Sequence, residues 1–282
     1  MVGGVRMSKN FGNQWVKIFG LGLILFFGFS CEKRDFRKAV EKNSIEAIEQ
    51  FLKKHPNGKY KMDALASLAL LHYQKAVAEN TVAGYEDFLK RFPKSSLKPT
   101  VVKNLIQLVT PEVNALSPEQ ISHLRALLKT DYGVIKIRFY PDKAPEHCRN
   151  FIRLAKAHFY DDSQFHLIIP GVLIQGGAPE GDPDAGPGWT IKAEFNELIN
   201  QPGAVGMVRG EHPDSAGSQF YIALTRIKEW DGKFTIFGEI EEGLEVAMEI
   251  SQMPSTGAQG RPYPFKPLKE IVIQGIEISY QN

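Results

Sequence analysis

Residues Phe165–Ala178 read FHLIIPGVLIQGGA, and this stretch decides the fold prediction. Two apolar runs, Phe165–Ile169 and Val172–Ile174, flank Pro170-Gly171, a dipeptide typical of turns. A Gly-Gly pair then ends the second run, which leaves Gln175 as the polar side chain at its end. The pattern predicts two short strands that bring an amide to an apolar surface. Taken alone, it is equally typical of a hairpin in any β-rich core.

Two further motifs follow at separate places along the chain. The first joins Met207–Arg209 to Asp214–Ile222, and the second is Asp231–Gly238. With Phe165–Ala178, they resemble the three signatures of the cyclophilins, the barrel-shaped peptidyl-prolyl isomerases. The resemblance covers roughly residues 131–280 and implies a closed eight-stranded antiparallel β-barrel capped by two helices. The residues themselves indicate many short strands with two helices, which fits such a barrel.

Chain length, charge and cysteine content limit what kind of protein this chain can form. A chain of 282 residues has room for two modest domains. Its 34 basic and 32 acidic residues argue against nucleic-acid binding through phosphate contacts. Its two cysteines cannot form a disulfide framework. Cys148 lies on a predicted helix, Glu146–Ala157, and is expected to be a buried thiol, with His147 and His158 on the surface beside it.

The first thirty residues have the pattern of a secretory signal. Basic residues, including Lys9 and Lys17, precede the apolar run Ile18–Ser30, which is shorter than the roughly 20 residues of a membrane span. The segment resembles a bacterial lipoprotein signal, which implies removal of residues 1–30 and lipidation of Cys31 as the first mature residue. The predicted location is therefore a membrane face of the cell envelope, periplasmic or extracellular. An uncleaved signal anchor and a plain secretory signal are the alternatives.

Residues 35–129 contain few glycines, and their apolar residues recur at helical spacing. The segment Ile45–Tyr60 repeats as Val82–Leu97, at an offset of 37 residues. This period makes the region similar to tetratricopeptide repeats, with a further helix around Pro118–Leu128 as a cap. Such a region predicts a surface for docking another protein or for dimerisation. The alternative is a spacer that holds the second domain away from the membrane.

Isomerisation of an X-Pro bond has a barrier of about 18–20 kcal/mol that arises from amide resonance. A catalyst must therefore bind the twisted amide better than either planar form. In the cyclophilins an apolar pocket holds the proline ring, and polar groups hold the flanking backbone. An arginine donates a hydrogen bond toward the prolyl nitrogen. The resemblance implies no metal, no other cofactor and no covalent intermediate.

Transferring these positions gives a site that differs from the family pattern. Leu167 occupies the position of the arginine and donates nothing, whereas Gln175 and Phe220 are retained and form the expected catalytic group. Glu229 stands where the family often has an aromatic residue, so Trp230 is either a direct or a displaced replacement. The expected pocket residues are Leu167, Val172, Leu173, Gln175, Val208, Tyr221, Trp230 and Phe234. Arg209 and Arg226 are the candidates for a replacement donor.

The sequence therefore predicts an isomerase that assists the folding of exported proteins and is weakened by Leu167. Its partners would be proline-containing segments, a protein on the helical repeats, and the membrane through a lipid anchor. Nucleic acid is not among the expected partners. A non-catalytic module that binds proline peptides and an envelope scaffold with a docking arm are the alternatives. The three functions differ in what the pocket does to an X-Pro segment: the isomerase binds and isomerises it, the binding module only binds it, and the scaffold does neither.

Overall fold

The structure is a computed structural model that describes residues 31–281. The chain forms two compact units, one that ends at Lys98 and one that begins at Pro99. Each unit has a hydrophobic core of its own and is described separately. Among the helices within residues 31–281, none has both the length and the apolarity that crossing a membrane requires.

The first unit consists of antiparallel helices that repeat the spacing seen in the sequence. Its helices are α1 (residues 31–42), α2 (Ile45–Lys54), α3 (Lys61–Glu79) and α4 (Val82–Arg91). The side chains of Ser44 and Thr81 cap α2 and α4 by accepting a backbone N–H three residues on. The residues that end these two helices, His55 and Phe92, have nearly the same backbone angles. The offset of 37 residues is thus a repeat of structure as well as of sequence.

Apolar residues at helical spacing form the core of this unit. Ile48 and Phe51 of α2 are almost fully buried, and they pack with Ala64 and Leu68 of α3. The rings of Phe36 and Tyr60 stack at 5.1 Å between centroids. The basic residues that end α2, Lys53 and Lys54, interact favourably with the negative end of the helix dipole.

The second unit is a curled antiparallel sheet with helices packed against it. Its helices are α5 (Lys98–Ala115), α6 (Pro118–Ser122), α7 (Pro145–Lys156) and α8 (Leu244–Ser251). Its strands are β1 (Leu124–Thr130), β2 (Gly133–Phe139), β3 (Ser163–Gln164), β4 (Leu167–Ile169), β5 (Leu173–Gly176), β6 (Ala204–Met207), β7 (Phe220–Ala223), β8 (Ile236–Glu242) and β9 (Val272–Tyr280). They are hydrogen-bonded in the order β3-β9-β1-β2-β8-β6-β7-β5-β4.

The prediction of a closed eight-stranded barrel is therefore wrong in its strand count and in its closure. The sheet of residues 31–281 has nine strands and runs from β3 to β4 without a ladder that joins these two. The chain changes partner between them: the N–H of Phe165 donates to Ile271, and the N–H of His166 donates to Gln175. A segment that pairs first with β9 and then with β5 is divided into two short strands.

The predicted helix Pro118–Leu128 is also wrong in its second half. Helix α6 ends at Ser122, and β1 pairs along its whole length with β9 and along most of it with β2. The leucines of this segment are compatible with helical spacing, but pairing with the neighbouring strand β2 and with the distant strand β9 overrides that local signal. Helices α5 and α6 also belong to the sheet unit, since Val113 and Ile121 are buried in its core. The compact units therefore divide near residue 98, and the second unit includes helices that precede the predicted domain of residues 131–280.

Helix α7 confirms one prediction about its side chains and corrects another. Cys148 is fully buried, as expected, and burial raises the pKa of its thiol, which donates to the carbonyl of Phe237. His147, expected on the surface, is instead 0% exposed, with its Nδ1 atom 2.6 Å from Oε2 of Glu194. His158 is half-buried, and its Nδ1 atom lies 2.7 Å from Asp161. Because Glu194 also accepts the N–H groups of Glu146 and His147, it caps the start of α7.

Candidate functional site

The register of four strands places the central site residues in one line. Leu167 of β4 lies opposite Gln175 of β5, which lies opposite Tyr221 of β7, and Tyr221 lies opposite Gly206 of β6. Residues directly opposite each other in a sheet project to the same face. A Cβ atom at Gly206 would lie 2.2 Å from the Tyr221 hydroxyl oxygen, so only glycine lets this phenol ring cross β6.

Three polar side chains form a hydrogen-bonded chain on this face. The Gln175 Nε2 atom donates to Gln219 Oε1 at 3.0 Å and lies 3.2 Å from His166 Nε2. Gln219 in turn donates to the carbonyl of Pro183 at 2.7 Å. Both hydrogens of the Gln175 amide are thereby used, whereas its Oε1 atom has no hydrogen-bond partner within residues 31–281. Burial lowers the pKa of His166, so its imidazole is neutral at pH 7.

An aromatic cluster of Tyr221, Trp230 and Phe234 lies beside this polar chain. The Tyr221 ring makes edge contacts with Trp230 at 5.0 Å and with Phe234 at 5.9 Å, and the last two rings lie 4.6 Å apart. Tyr221 is 0% exposed, because Trp230 and Phe234 cover it. Trp230 and Phe234 remain half-buried and present the accessible apolar surface. Other apolar residues packed in the same cluster are Ala204, Ala223, Ile236, Leu198, Val208 and Ile227.

A polar network beneath the aromatic cluster fixes the loop that carries Trp230. The Tyr221 hydroxyl donates to Oδ1 of the fully buried Asn200, whose N–H donates to Asp231 at 2.9 Å. Both terminal nitrogens of Arg226 donate to the same Asp231 carboxylate. Hydrogen bonds from Arg226 and Asn200 lower the pKa of Asp231 to about 2. Arg226 is therefore engaged by a counter-ion and does not act as a free donor for a ligand.

Arg209 lies at the edge of the aromatic cluster. Its guanidinium carbon is 5.0 Å from the centroid of the Phe234 ring and 5.7 Å from that of Phe195. Its Nε atom donates to the carbonyl of Lys233 at 2.9 Å, and Nη1 donates to the carbonyls of Gly210 and Glu211. These contacts hold the side chain in one orientation.

The structure brings most of the predicted site residues together. Leu167, Gln175 and Tyr221 share the line across the strands, and Val208, Trp230 and Phe234 pack around Tyr221. Leu173 lies on the same face, two residues from Gln175, and is 3% exposed, and Val172 is half-buried in the turn before it.

Phe220, by contrast, projects to the opposite face, where it is 0% exposed among core rings. The structure separates it from Gln175 and makes it part of the core. Trp230 itself contacts Tyr221, whereas Glu229 is exposed. Trp230 is therefore the residue that occupies the aromatic position of the pocket.

Sequence reasoning missed two residues of this site. Gln219 follows Ser218 in the second motif, two residues before Tyr221, and strand alternation alone places it on the face of Gln175. Asn200 carried no comparable signal, because its role depends on Tyr221 and Asp231, which are distant in sequence.

Comparisons with known proteins agree with this geometry. The family model described as "Cyclophilin type peptidyl-prolyl cis-trans isomerase/CLD" matches residues 125–278, which extend from β1 into β9. Peptidyl-prolyl cis-trans isomerase B of Bacillus subtilis is 40% identical over 126 residues, which are 44% of this chain and 87% of the relative. Peptidyl-prolyl cis-trans isomerase B of Streptomyces anulatus is 34% identical over 174 residues, 55% of this chain and 96% of the relative.

A solved structure shares the fold. It is a Cryptosporidium parvum cyclophilin-type peptidyl-prolyl cis-trans isomerase, crystallised in the presence of the dipeptide Ala-Pro. The match has a TM-score of 0.51 and 29% identity, and it covers 56% of this chain and 99% of the other. The residues that the family model matches all lie in the second unit of the present chain.

Proposed function

The chain belongs to the cyclophilin family of peptidyl-prolyl cis-trans isomerases, and we propose that its second unit binds X-Pro segments and isomerises them slowly. The binding surface is the face of β5 and β7 that carries Gln175 and Tyr221, called the outer face below. The observation that carries the proposal is the position of Leu167. It faces Gln175 across two paired strands, and its aliphatic side chain donates no hydrogen bond. The site therefore keeps the means to hold a peptide and loses the means to polarise its amide.

Neither Arg226 nor His166 takes over the missing donation, and Arg209 lies at the edge of the aromatic cluster, where its Nε and Nη1 atoms donate to backbone carbonyls. Arg226 is paired with Asp231, and His166 is neutral and 8% exposed. A donor that stabilises charge developing in a transition state contributes about 10²–10³ in rate. Twisting the amide is still assisted by holding the proline ring and the flanking backbone, because such contacts can favour the twisted form. Slow turnover follows from this balance.

The binding contacts that remain are well defined. Trp230 and Phe234 provide apolar area for a proline ring, and burial of such area contributes about 25 cal/mol per Å². The Gln175 Oε1 atom accepts a peptide N–H, because the amide nitrogen of Gln175 is held by Gln219 and His166. An apolar surface with one oriented polar group is the usual composition of a ligand site.

A proline-isomerisation assay with a short X-Pro peptide tests the proposal. We expect wild-type turnover well below that of a cyclophilin that carries the arginine, and a gain of about 10²–10³ in Leu167→Arg. Val134→Arg is the matched control, since Val134 lies exposed on β2 and the variant adds the same charge away from the site. Full wild-type activity would contradict the proposal. So would a Leu167→Arg variant that binds the peptide without any gain.

A non-catalytic peptide-binding module is the second candidate function. The same observation favours it, because Leu167 removes catalysis without removing the contacts made by Gln175, Trp230 and Phe234. The assay separates the two functions: turnover that is slow but above the uncatalysed rate indicates an isomerase, and binding without turnover indicates a binding module.

We also propose that the protein is an envelope lipoprotein that acts on exported proteins. The support is the basic and apolar pattern before Cys31, in residues that lie outside the described part of the chain. The repeat of helix α2 and its caps as α4 supports a tetratricopeptide-like arm that docks another protein or holds the isomerase unit away from the membrane. Cys31→Ala should release the protein from membranes without unfolding it. Continued membrane association of this variant would indicate an uncleaved anchor.

A further inference from the structure

We infer that Arg209 makes this site prefer peptides with an acidic side chain beside the proline-containing segment. The inference rests on the proposed function, because it concerns a ligand bound by the same outer face. It assigns to the site a class of substrate that the aromatic cluster and Gln175 alone would not select.

The guanidinium of Arg209 is already oriented for binding. Three backbone carbonyls, those of Lys233, Gly210 and Glu211, accept from its Nε and Nη1 atoms. The rings of Phe195 and Phe234 pack against it. Its Nη2 atom has no hydrogen-bond partner among residues 31–281. A donor held in this way loses little side-chain entropy when a ligand binds.

The charge of Arg209 is not compensated within residues 31–281. Six of the other arginines there have a carboxylate within 4.0 Å, namely Arg37, Arg91, Arg125, Arg138, Arg149 and Arg226, whereas Arg34, Arg153 and Arg261, like Arg209, have none. Arg209 is half-buried, and carbonyl oxygens rather than carboxylates are its acceptors. A fixed, partly desolvated cation without a counter-ion attracts an anion, and carboxylates match the fork of a guanidinium.

Arg209 lies close enough to the pocket to contact a residue flanking the proline. The Phe234 ring that contacts Arg209 at 5.0 Å also contacts Trp230 at 4.6 Å. The guanidinium thus borders the apolar surface proposed for the proline, and the Phe234 ring separates it from Trp230. An extended chain advances about 3.3 Å per residue, so a side chain one or two residues from the proline spans this distance.

The test is a titration of the full mature chain with matched sets of three peptides, one set for each flanking position, in which the NMR shifts of the Trp230 indole report binding. The peptides contain one Ala-Pro unit, with Glu, Gln or Lys placed in turn at each flanking position. At low salt we expect the Glu peptide to bind about fivefold to tenfold more tightly than the Gln peptide at one position, which is about the difference between a charge-assisted hydrogen bond and a neutral one. The Lys peptide should bind more weakly than either, and added salt should reduce these differences.

Two variants complete the experiment. Arg209→Gln should abolish the preference for Glu over Gln. Arg138→Gln should keep it, because Arg138 also contacts a tyrosine ring but is paired with Glu239 on another part of the sheet. If Arg209→Gln does not fold, equal affinities of the wild-type chain for the Glu, Gln and Lys peptides still overturn the inference.

Equal affinities for the Glu, Gln and Lys peptides at every position would overturn the inference and leave the proposed function standing. Retention of the Glu preference in a folded Arg209→Gln variant would overturn it as well. If none of the peptides binds, the proposed function fails together with the inference.

Discussion

The two faces of strands β5 and β7 differ in composition and in burial, although their residues alternate along the same strands. On the inner face Ile174, Phe220 and Ile222 are 0% exposed and wholly apolar. On the outer face Gln175 and Tyr221 combine apolar surface with polar groups. The departures from the family pattern, Leu167 among them, lie outside the inner face. The fold tolerates these changes because its packing energy comes mainly from the other side of the sheet.

The largest effect that would test this comparison is expected from Phe220→Ala. The Phe220 ring contacts Phe151, Tyr160 and Phe165 at centroid distances of 5.4, 5.8 and 6.2 Å. Its removal leaves a cavity that the surrounding rings cannot fill, so we expect a loss of about 3–5 kcal/mol in the free energy of unfolding. Denaturant unfolding of the wild type and the variant measures this loss.

Trp230→Ala is the control on the outer face. The half-buried Trp230 should contribute much less to the free energy of unfolding and much more to peptide affinity. An equal loss of stability in the two variants would show that the outer face is also a packing surface.

The sequence predicted the helix pairs of the first unit well because their signals are local. Ser44 and Thr81 at the N-caps, basic residues in the last turns, and a proline one residue after each C-cap define α2 and α4 without distant partners. The three motifs also predicted which residues meet on the outer face, since strand alternation is fixed once the strands are known.

Non-local pairing explains what the sequence did not reveal. Local spacing predicts a helix over β1, because the partners of this strand in β9 lie about 150 residues away, as in the pair Leu124 and Tyr280. Local spacing likewise predicts an exposed His147, because its partner Glu194 follows 47 residues later. The cover that Trp230 forms over Tyr221 likewise depends on a loop conformation set by Asp231, Arg226 and Asn200.

A smaller effect is expected from Tyr221→Phe. The change removes the hydroxyl that donates to Asn200 and leaves the Oδ1 atom of this buried side chain without its donor. An unsatisfied buried acceptor costs about 1–3 kcal/mol, which denaturant unfolding measures. Because Asn200 also holds Asp231, we expect the Trp230 indole to shift in NMR spectra and peptide affinity to change.

Tyr160→Phe is the matched control on the inner face. Its hydroxyl donates to the Ser218 carbonyl at 3.1 Å, and the residue is 0% exposed. The variant should lose comparable stability but leave the Trp230 signal and peptide affinity unchanged. A shift of the Trp230 signal in both variants would contradict a separation of the two faces.

The smallest effect is expected from protonation of Asp231 at low pH. The pKa of this carboxyl is lowered from its ordinary value of 3.8 to about 2, first by the hydrogen bond from Arg226 and then by that from Asn200. A carboxyl whose pKa is lower in the folded state stabilises that state fully above its unfolded pKa. This stabilisation is lost as the pH falls from about 3.8 toward about 2.

Within that pH window we expect the loop of residues 226–234 to loosen before the inner face does, since Asp231 joins Asn200 to Arg226. NMR spectra recorded along an acid titration should show the Trp230 indole shifting while the amide of Phe220 keeps its position. The Asp231→Asn variant keeps an acceptor for the Asn200 N–H but carries no titrating charge, so its Trp230 signal should lack this step. If wild type and variant titrate alike, or if the Phe220 amide moves first, Asp231 does not control the loop, and acid acts on the core and the site together.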